Sequence, residues 1–129
     1  MLLPDTSVWV EYLRHGDEGR ASGLDELVAR REVVTCGPVV AELIAGTGRR
    51  DRDRVARVLE GIGWSELGYA DWLRVGEVAA ELRAEGKTVP LTDVEIAVAA
   101  LAAGAAVWSG DSDFERIAGV VKDLELQPL

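Results

Sequence analysis

The sequence predicts an α/β fold in which a central, mostly parallel β-sheet is flanked by helices. Short apolar runs alternate along the chain with longer stretches whose apolar residues recur at helical spacing. Strands separated by helices form βα units, and such units assemble into parallel sheets. With 129 residues, 48% of them hydrophobic and 29% charged, we expect residues 1–129 to form one globular domain.

Five short apolar runs are predicted as strands, at residues 2–3, 33–36, 64–67, 106–108 and 124–126. Pro4 follows the first run directly. Because proline lacks a backbone N–H donor, it is compatible with that strand only at its end.

The segments between the runs carry apolar faces typical of amphipathic helices, at residues 8–13, 24–28, 39–44, 55–62 and 72–82. Pro38 suits the first position of its helix, where no N–H is needed. Gly86 marks the end of the longest of these helices.

Two further helices are predicted from capping patterns. Thr92 and Glu95 have the spacing of a capping box, which places Asp93 in the first turn of an Ala-rich helix ending near residue 104. Ser112 and Glu115 repeat the pattern over a short helix.

Composition excludes several classes of protein. A single cysteine, Cys36, forms no internal disulfide, fits a reducing cytosol, and is predicted to be buried and inert. With one histidine, His15, the chain is poorly supplied for triad catalysis or a histidine-rich zinc site. No apolar run approaches the roughly 20 residues that span a bilayer, and no secretory signal is evident, so we expect a cytoplasmic protein without a membrane partner.

Five acidic residues lie where apolar runs end or helices begin: Asp5, Glu42, Asp93, Asp111 and Asp113. Each has an ordinary structural explanation when taken alone. Asp5 can cap a helix, Asp93 is favoured by the helix dipole, and Glu42 lies away from the apolar face of its helix. Asp111 and Asp113 can be turn residues.

Taken together, the same acids predict a shared pocket. Ligands of open α/β sheets bind beyond the carboxyl ends of the strands, where Asp5 and Asp111 are expected. Clustered carboxylates repel one another unless a cation neutralises them, and Mg²⁺ or Mn²⁺ prefers such oxygen ligands.

Three motifs in this order resemble the PIN-domain ribonucleases, and more closely the toxin half of a VapBC-type toxin–antitoxin pair. The motifs are Asp5-Thr6-Ser7-Val8-Trp9, Leu91-Thr92-Asp93 with Ile96-Ala97, and Asp111-Ser112-Asp113-Phe114. The resemblance covers the chain from Leu3 to Leu126 and implies a three-layer sandwich, Mg²⁺-dependent cleavage of RNA and a VapB-type antitoxin partner.

The resemblance also implies roles for individual residues. Asp5 and Asp93 become the principal metal ligands, and Glu42 and Asp111 complete a catalytic acidic pocket. Asp113 becomes an auxiliary acid that also binds metal, and Ser7 is a hydroxyl that positions a ligand or a water. The chain departs from the family pattern at two positions, Ser109, where threonine is frequent, and Pro4, where an apolar strand residue is usual.

An arginine-rich segment is the candidate for contacts with RNA phosphates, through Arg49, Arg50, Arg52 and Arg54. The alternating charges of this segment are also typical of a solvated helix face. The net charge of −9 argues against a polyanion partner unless metal offsets part of it, and it favours a basic protein partner. The four tryptophans are predicted to be core residues: Trp9, Trp64, Trp72 and Trp108.

Two other functions remain open at this point. A response-regulator receiver is also a small α/β domain, but it would require adjacent acids after the first strand, and Asp5 is followed by Thr6. It would also need a lysine near the end of the last strand, and Lys122 is poorly placed. A non-catalytic PIN-like scaffold would be indicated by loss of a central acid. We also expect a homodimer, with Trp72, Val75 and Val78 as candidate contacts.

Overall fold

The computed structural model of the protein describes residues 1–129 and contains five strands, all paired in parallel. They are β1 (Leu2–Pro4), β2 (Val34–Cys36), β3 (Gly63–Ser65), β4 (Ala106–Ser109) and β5 (Leu126–Pro128). One sheet has the order β1-β4-β5, the other pairs β2 with β3, and a bridge between Leu2 and Val33 joins them. Read across the bridge, the order is β3-β2-β1-β4-β5. A receiver has the order 2-1-3-4-5, so the receiver alternative is wrong.

Pro4 explains why the hydrogen-bond ladder divides between β1 and β2. The amide of Leu2 donates to the carbonyl of Glu32 at 2.8 Å, on the β2 side, whereas the amide of Asp5 donates to β4 at 2.9 Å. Successive amides of a strand point to opposite neighbours, so position 4 faces β2, where proline has no donor. Proline is thus accommodated as the last residue of its strand, as expected.

Seven α-helices surround the strands: α1 (Thr6–His15), α2 (Leu24–Ala29), α3 (Gly37–Gly46), α4 (Arg52–Glu60), α5 (Tyr69–Ala84), α6 (Leu91–Ala102) and α7 (Asp113–Val120). Helix α3 packs against α1 and α4, whereas α5, α6 and α7 pack against one another. The predicted α/β class, with a parallel sheet flanked by helices, is confirmed.

The core is centred on α6, which is buried almost all round. Six residues between Val94 and Ala100 are buried on this helix, and three of the six are alanines. The buried hydroxyl of Ser65 on β3 donates to the carbonyl of Ala99 at 2.8 Å. This bond ties the edge of the sheet to the helix that carries Asp93.

Several expectations about local structure are wrong. Helix α6 begins at Leu91 with Pro90 before it and has no side-chain cap, so Thr92 and Glu95 do not form a capping box. Ser112 precedes α7 but its side chain makes no cap bond. The amide of Asp113 is instead satisfied by the Asp111 carboxylate.

Two tryptophans are not core residues. Trp9 and Trp108 are buried as expected, but Trp64 is 54% exposed and Trp72 is 49% exposed. Trp64 lies on β3, an edge strand, and its indole N–H donates to the exposed Glu66 carboxylate. Trp72 lies on the solvent side of α5.

The expected dimer contacts also need correction. Val75 and Val78 are buried within the chain itself, so they cannot contribute exposed surface to a dimer. Only Trp72 of the three remains exposed.

The last strand begins at Leu126 and not at residue 124 as expected. Leu124 precedes this strand and is buried in the core.

None of the helices combines the length and the apolar character that crossing a membrane requires.

Helix α5 offers a matched test of the core. Leu82 is 1% exposed and Leu73 is 52% exposed on the same helix. We expect Leu82→Ala to lower the free energy of unfolding by about 2–5 kcal/mol, because it removes buried apolar contacts and leaves a cavity. Leu73→Ala should lower the free energy of unfolding much less, because Leu73 is half exposed. Both variants share the small change in helix propensity, so their difference reports on burial. Urea denaturation of the two variants measures the difference, and equal losses would contradict the assigned core.

Candidate functional site

The acidic residues gather at the carboxyl ends of the two central strands. Asp5 follows β1 directly, and Asp111 follows β4 after one residue. These strands are neighbours in the sheet, so their ends are adjacent. Helix α6 starts at the same edge and carries Asp93 in its first turn. The parallel topology therefore places residues that are distant in sequence in one crevice.

Asp5 is held by three hydrogen-bond donors and is 5% exposed. Its Oδ1 accepts from the Ser7 hydroxyl at 2.5 Å and from the amide of Val8 at 3.2 Å. Its Oδ2 accepts from the Ser109 hydroxyl at 2.5 Å. The carboxylate thus caps α1, as its position in the sequence allowed, and has a fixed orientation.

The same two hydroxyls connect Asp5 to the loop after β4. Ser7 Oγ accepts from the amide of Gly110 at 3.3 Å, and Ser109 Oγ accepts from the amide of Asp111 at 2.8 Å. Ser109 therefore has a defined role that sequence reasoning noted only as a departure from the family pattern. The hydroxyl network couples the position of Asp5 to that of Asp111.

Three carboxylates form a compact group suited to a cation. One oxygen each from Asp93, Asp111 and Asp113 lies within 4.8 Å of the others. Asp111 Oδ1 accepts from the amide of Asp113 at 2.9 Å, which orients both side chains. Asp5 and Glu42 are not members of this trio, whereas Asp113, expected to be auxiliary, is.

Crowding of these charges is expressed in the pKa of Asp93. This pKa is raised from 3.8 to about 7, first by burial and then by the charges of Asp111 and Asp113. A hydrogen bond with Asp113 and the charge of Glu42 contribute in the same direction. The site therefore favours a proton or a cation at Asp93 near neutral pH.

Glu42 and Glu95 extend the acidic surface beyond the trio. Partial burial raises the pKa of Glu42, the Asp5 charge raises it further, and the Thr6 hydroxyl partly offsets the shift. The pKa of Glu95 is raised by burial and then by the charge of Glu42. Sequence reasoning missed Glu95 because it assigned that residue to a cap; its position two residues after Asp93 was the available signal.

Cys36 lies at the N-terminal end of α3, beside this acidic surface. The pKa of its thiol is raised to about 11, chiefly by burial; a backbone hydrogen bond with Val39 opposes the shift, and the charges of Glu95 and Glu42 add to it. A thiol with such a pKa is a poor nucleophile at neutral pH. The expectation that Cys36 is buried is confirmed, and its inertness stays a prediction.

A groove of about 370 Å³ is lined by both Glu42 and part of the arginine-rich segment. Its lining includes Thr6, Glu42, Asp51 and Arg54. Arg54 faces Asp51 at 3.7 Å. The guanidinium of Arg52 donates to the carbonyl of Thr47, so part of the segment is committed to local contacts.

The fold and this acidic crevice agree with the comparison of the sequence with protein families. Residues 2–120 match the PIN domain family. The chain belongs to the PIN domain family.

The resemblance to VapC-type members is confirmed by curated relatives. Ribonuclease VapC11 of Mycobacterium tuberculosis (strain ATCC 25618 / H37Rv) is 28% identical over 125 residues, which cover 93% of each chain. VapC ribonuclease Mb1587 of Mycobacterium bovis has the same identity and coverage.

Solved structures agree on the fold. A chain of VapBC2 from Rickettsia felis, bound to a DNA fragment from its promoter, superimposes with a TM-score of 0.79 at 20% identity, covering 99% of this chain and 98% of that one. A chain of DNA-bound VapBC from Salmonella typhimurium gives a TM-score of 0.77 at 18% identity, covering 98% and 96%.

The raised pKa of Asp93 predicts how stability depends on pH in the absence of metal. The folded protein holds the Asp93 proton more tightly than the unfolded chain does, so this stabilisation is present at acidic pH and is lost as pH rises from about 3.8 towards about 7. Asp93→Asn removes the dependence. In EDTA, we expect Asp93→Asn to become more stable than wild type between pH 4 and pH 7, with a constant advantage above that range.

Thermal denaturation from pH 4 to pH 8.5 measures this difference. Asp53→Asn, which removes the same charge from an exposed position on α4, is the control and should show no such rise. A stability difference between Asp93→Asn and wild type that does not change with pH would contradict the crowded site.

Proposed function

We propose that the protein is a Mg²⁺-dependent endoribonuclease that acts as the toxin of a VapBC-type pair, hydrolysing RNA phosphodiester bonds with activated water. The observation that carries this proposal is the trio of Asp93, Asp111 and Asp113 oxygens within 4.8 Å of one another. Membership of the PIN domain family and similarity to relatives named as VapC ribonucleases support the same function.

The residues of the trio fit a hard divalent cation. All three supply carboxylate oxygens, the ligand type that Mg²⁺ and Mn²⁺ prefer, and the pKa of Asp93 is raised by burial and then by the negative charges of Asp111 and Asp113. Asp93, Asp111 and Asp113 would hold the ion. When bound, such an ion supplies Lewis-acid activation of water and of the scissile phosphate.

The remaining acids would act on the water and on the geometry of the site. Asp5 is fixed by Ser7, Ser109 and the amide of Val8, so its carboxylate can orient a water without moving. The pKa of Glu42 is raised by partial burial and by the Asp5 charge, which suits this carboxylate to accept a proton from the attacking water. The water oxygen forms the new bond to phosphorus as the bond to the ribose oxygen breaks.

RNA would approach along the groove that Glu42 lines. Arg54 lines this groove, and Arg49, Arg50 and Arg52 are exposed on the adjoining segment, where phosphates can be contacted. These contacts would offset the overall charge of −9 locally.

The partner we propose is a VapB-type antitoxin. Solved structures similar to this chain are VapBC assemblies, and an acidic crevice next to a groove with apolar residues suits a basic, amphipathic segment. Such a segment would place arginine or lysine near the carboxylates and exclude both metal and RNA.

A homodimer is also part of the proposal. Tyr69, Trp72 and Leu73 are exposed on one helix, α5, and large exposed apolar side chains are typical of protein contacts.

Conservative substitutions of two acids test catalysis. We expect Asp5→Asn and Asp93→Asn each to reduce RNA cleavage by about a hundredfold or more, because each removes a charge that orients water or holds the cation. Asparagine can still cap α1, so loss of activity in Asp5→Asn would not reflect loss of the helix cap. Cleavage of a labelled RNA in Mg²⁺ and in EDTA provides the measurement.

Glu81→Gln, which removes one negative charge from an exposed position on α5, serves as the control and should cleave RNA as wild type does. Full cleavage by either site variant, or by wild type in EDTA, would overturn the proposed mechanism.

Co-expression with the cognate antitoxin tests the partner. We expect the purified complex to cleave RNA at least tenfold more slowly than the free protein, because the partner covers the acidic crevice. Glu42→Gln should weaken the complex by removing a charge at the mouth of the groove, as measured by titration calorimetry. A complex that cleaves RNA as fast as the free protein would show that the partner leaves the crevice open.

A further inference from the structure

Arg116 makes a direct contact with the acidic trio. Its Nη1 donates to Asp113 Oδ1 at 2.5 Å, and the same nitrogen lies 3.4 Å from the Ser112 hydroxyl. Asp113 is the less exposed partner, with 18% of its side chain accessible against 48% for Arg116. The other ion pairs of the structure involve acids outside the trio: Arg30–Glu26, Arg54–Asp51, Arg74–Asp123 and Lys87–Glu85.

The position of Arg116 differs from that of an ordinary surface pair. Arginine three residues after aspartate on a helix commonly forms an exposed pair of little energetic consequence. Here the aspartate is mostly covered, and one of its oxygens lies within 4.8 Å of oxygens of Asp93 and Asp111. The guanidinium therefore contacts one member of a group of three carboxylates that would otherwise repel one another.

The charge of Arg116 is permanent, because the guanidinium does not deprotonate in proteins. A divalent cation held by the trio would share the Asp113 carboxylate with Arg116. The two positive charges would repel each other, and both would interact with the Asp113 carboxylate. Neutralisation by Arg116 and neutralisation by a metal ion are thus alternatives for the same acid.

We propose that Arg116 is a built-in counter-cation that holds Asp113 when no metal is bound and competes with the divalent cation for it, thereby setting the metal affinity of the site. This inference rests on the proposed metal-dependent function. Arg116 is a positioning residue in this scheme, since it acts through Asp113 and takes no part in the chemistry.

The test compares metal binding and stability in four proteins: wild type, Arg116→Gln, Arg116→Lys and Arg74→Gln. Arg74→Gln is the matched control, because it breaks an arginine–aspartate pair at 3.3 Å between exposed partners. The dissociation constant of Mn²⁺ is measured by titration calorimetry on protein freed of metal, and the melting temperature is measured in EDTA.

We expect Arg116→Gln to bind Mn²⁺ about tenfold more tightly than wild type and to melt at a lower temperature in EDTA, because a nearby positive charge is removed. Arg116→Lys keeps the charge and should stay within about twofold of wild type, as should Arg74→Gln. The difference in Mn²⁺ affinity between Arg116→Gln and wild type should become smaller as the salt concentration is raised. Such a decrease would support an electrostatic origin.

Equal or weaker Mn²⁺ binding by Arg116→Gln, with clear binding by wild type, would overturn the competition while leaving the proposed metal-dependent function intact. Absence of Mn²⁺ binding in wild type and in all variants would overturn both. Tighter binding in Arg116→Lys as well would also overturn the proposal, since the charge would then be irrelevant.

Discussion

Repulsion among carboxylates is the constraint around which the rest of this structure is arranged. A parallel sheet brings the ends of β1 and β4 together, and with them Asp5 and Asp111, while α6 adds Asp93. Asp5 is buried and Asp93 and Asp113 are partly buried, so bulk water compensates their charges incompletely, whereas Asp111 is exposed. The fold supplies hydroxyl and amide donors to Asp5, the Asp113 amide to Asp111, and the Arg116 guanidinium to Asp113. Asp93 receives the least compensation, and its pKa is the one most affected.

The groups that compensate the charges also build the scaffold. Asp5 ends a strand, caps a helix and accepts from two serines, so one side chain connects β1, α1 and the loop after β4. Ser65 connects the edge strand β3 to α6 in a similar way. A substitution at such positions changes stability and site geometry together, which is why conservative changes such as aspartate to asparagine are the more informative ones.

The sequence predicted the architecture well because hydrophobic periodicity and proline and glycine positions are local signals. The strand after residue 33, Pro38 at the start of α3 and the end of α5 before Gly86 were all anticipated. The errors arose where tertiary context decides. Trp64 has a strand-like setting, but only the sheet order reveals that its strand is at the edge.

The site was anticipated as a set of residues but not as a geometry. Five acids were named from their order in the chain, yet spacing cannot reveal that Asp113 joins Asp93 and Asp111 more closely than Asp5 does. Glu95 was overlooked because its spacing from Thr92 matched a cap. The role of Ser109 depends on contacts between residues more than a hundred positions apart, which no local pattern encodes.

Pro4 interrupts the backbone hydrogen bonding between β1 and β2 and so divides the sheet into two parts. With one backbone bridge between β1 and β2, the half of the sheet that carries α3 and Glu42 is joined to the half that carries the trio mainly by side-chain packing and by α6. Small displacements of one half of the sheet relative to the other would change the separation between Glu42 and Asp93. The backbone hydrogen bonds within each half would stay intact. The fold thus constrains the separation between Glu42 and Asp93 less tightly than it constrains the spacing within the trio.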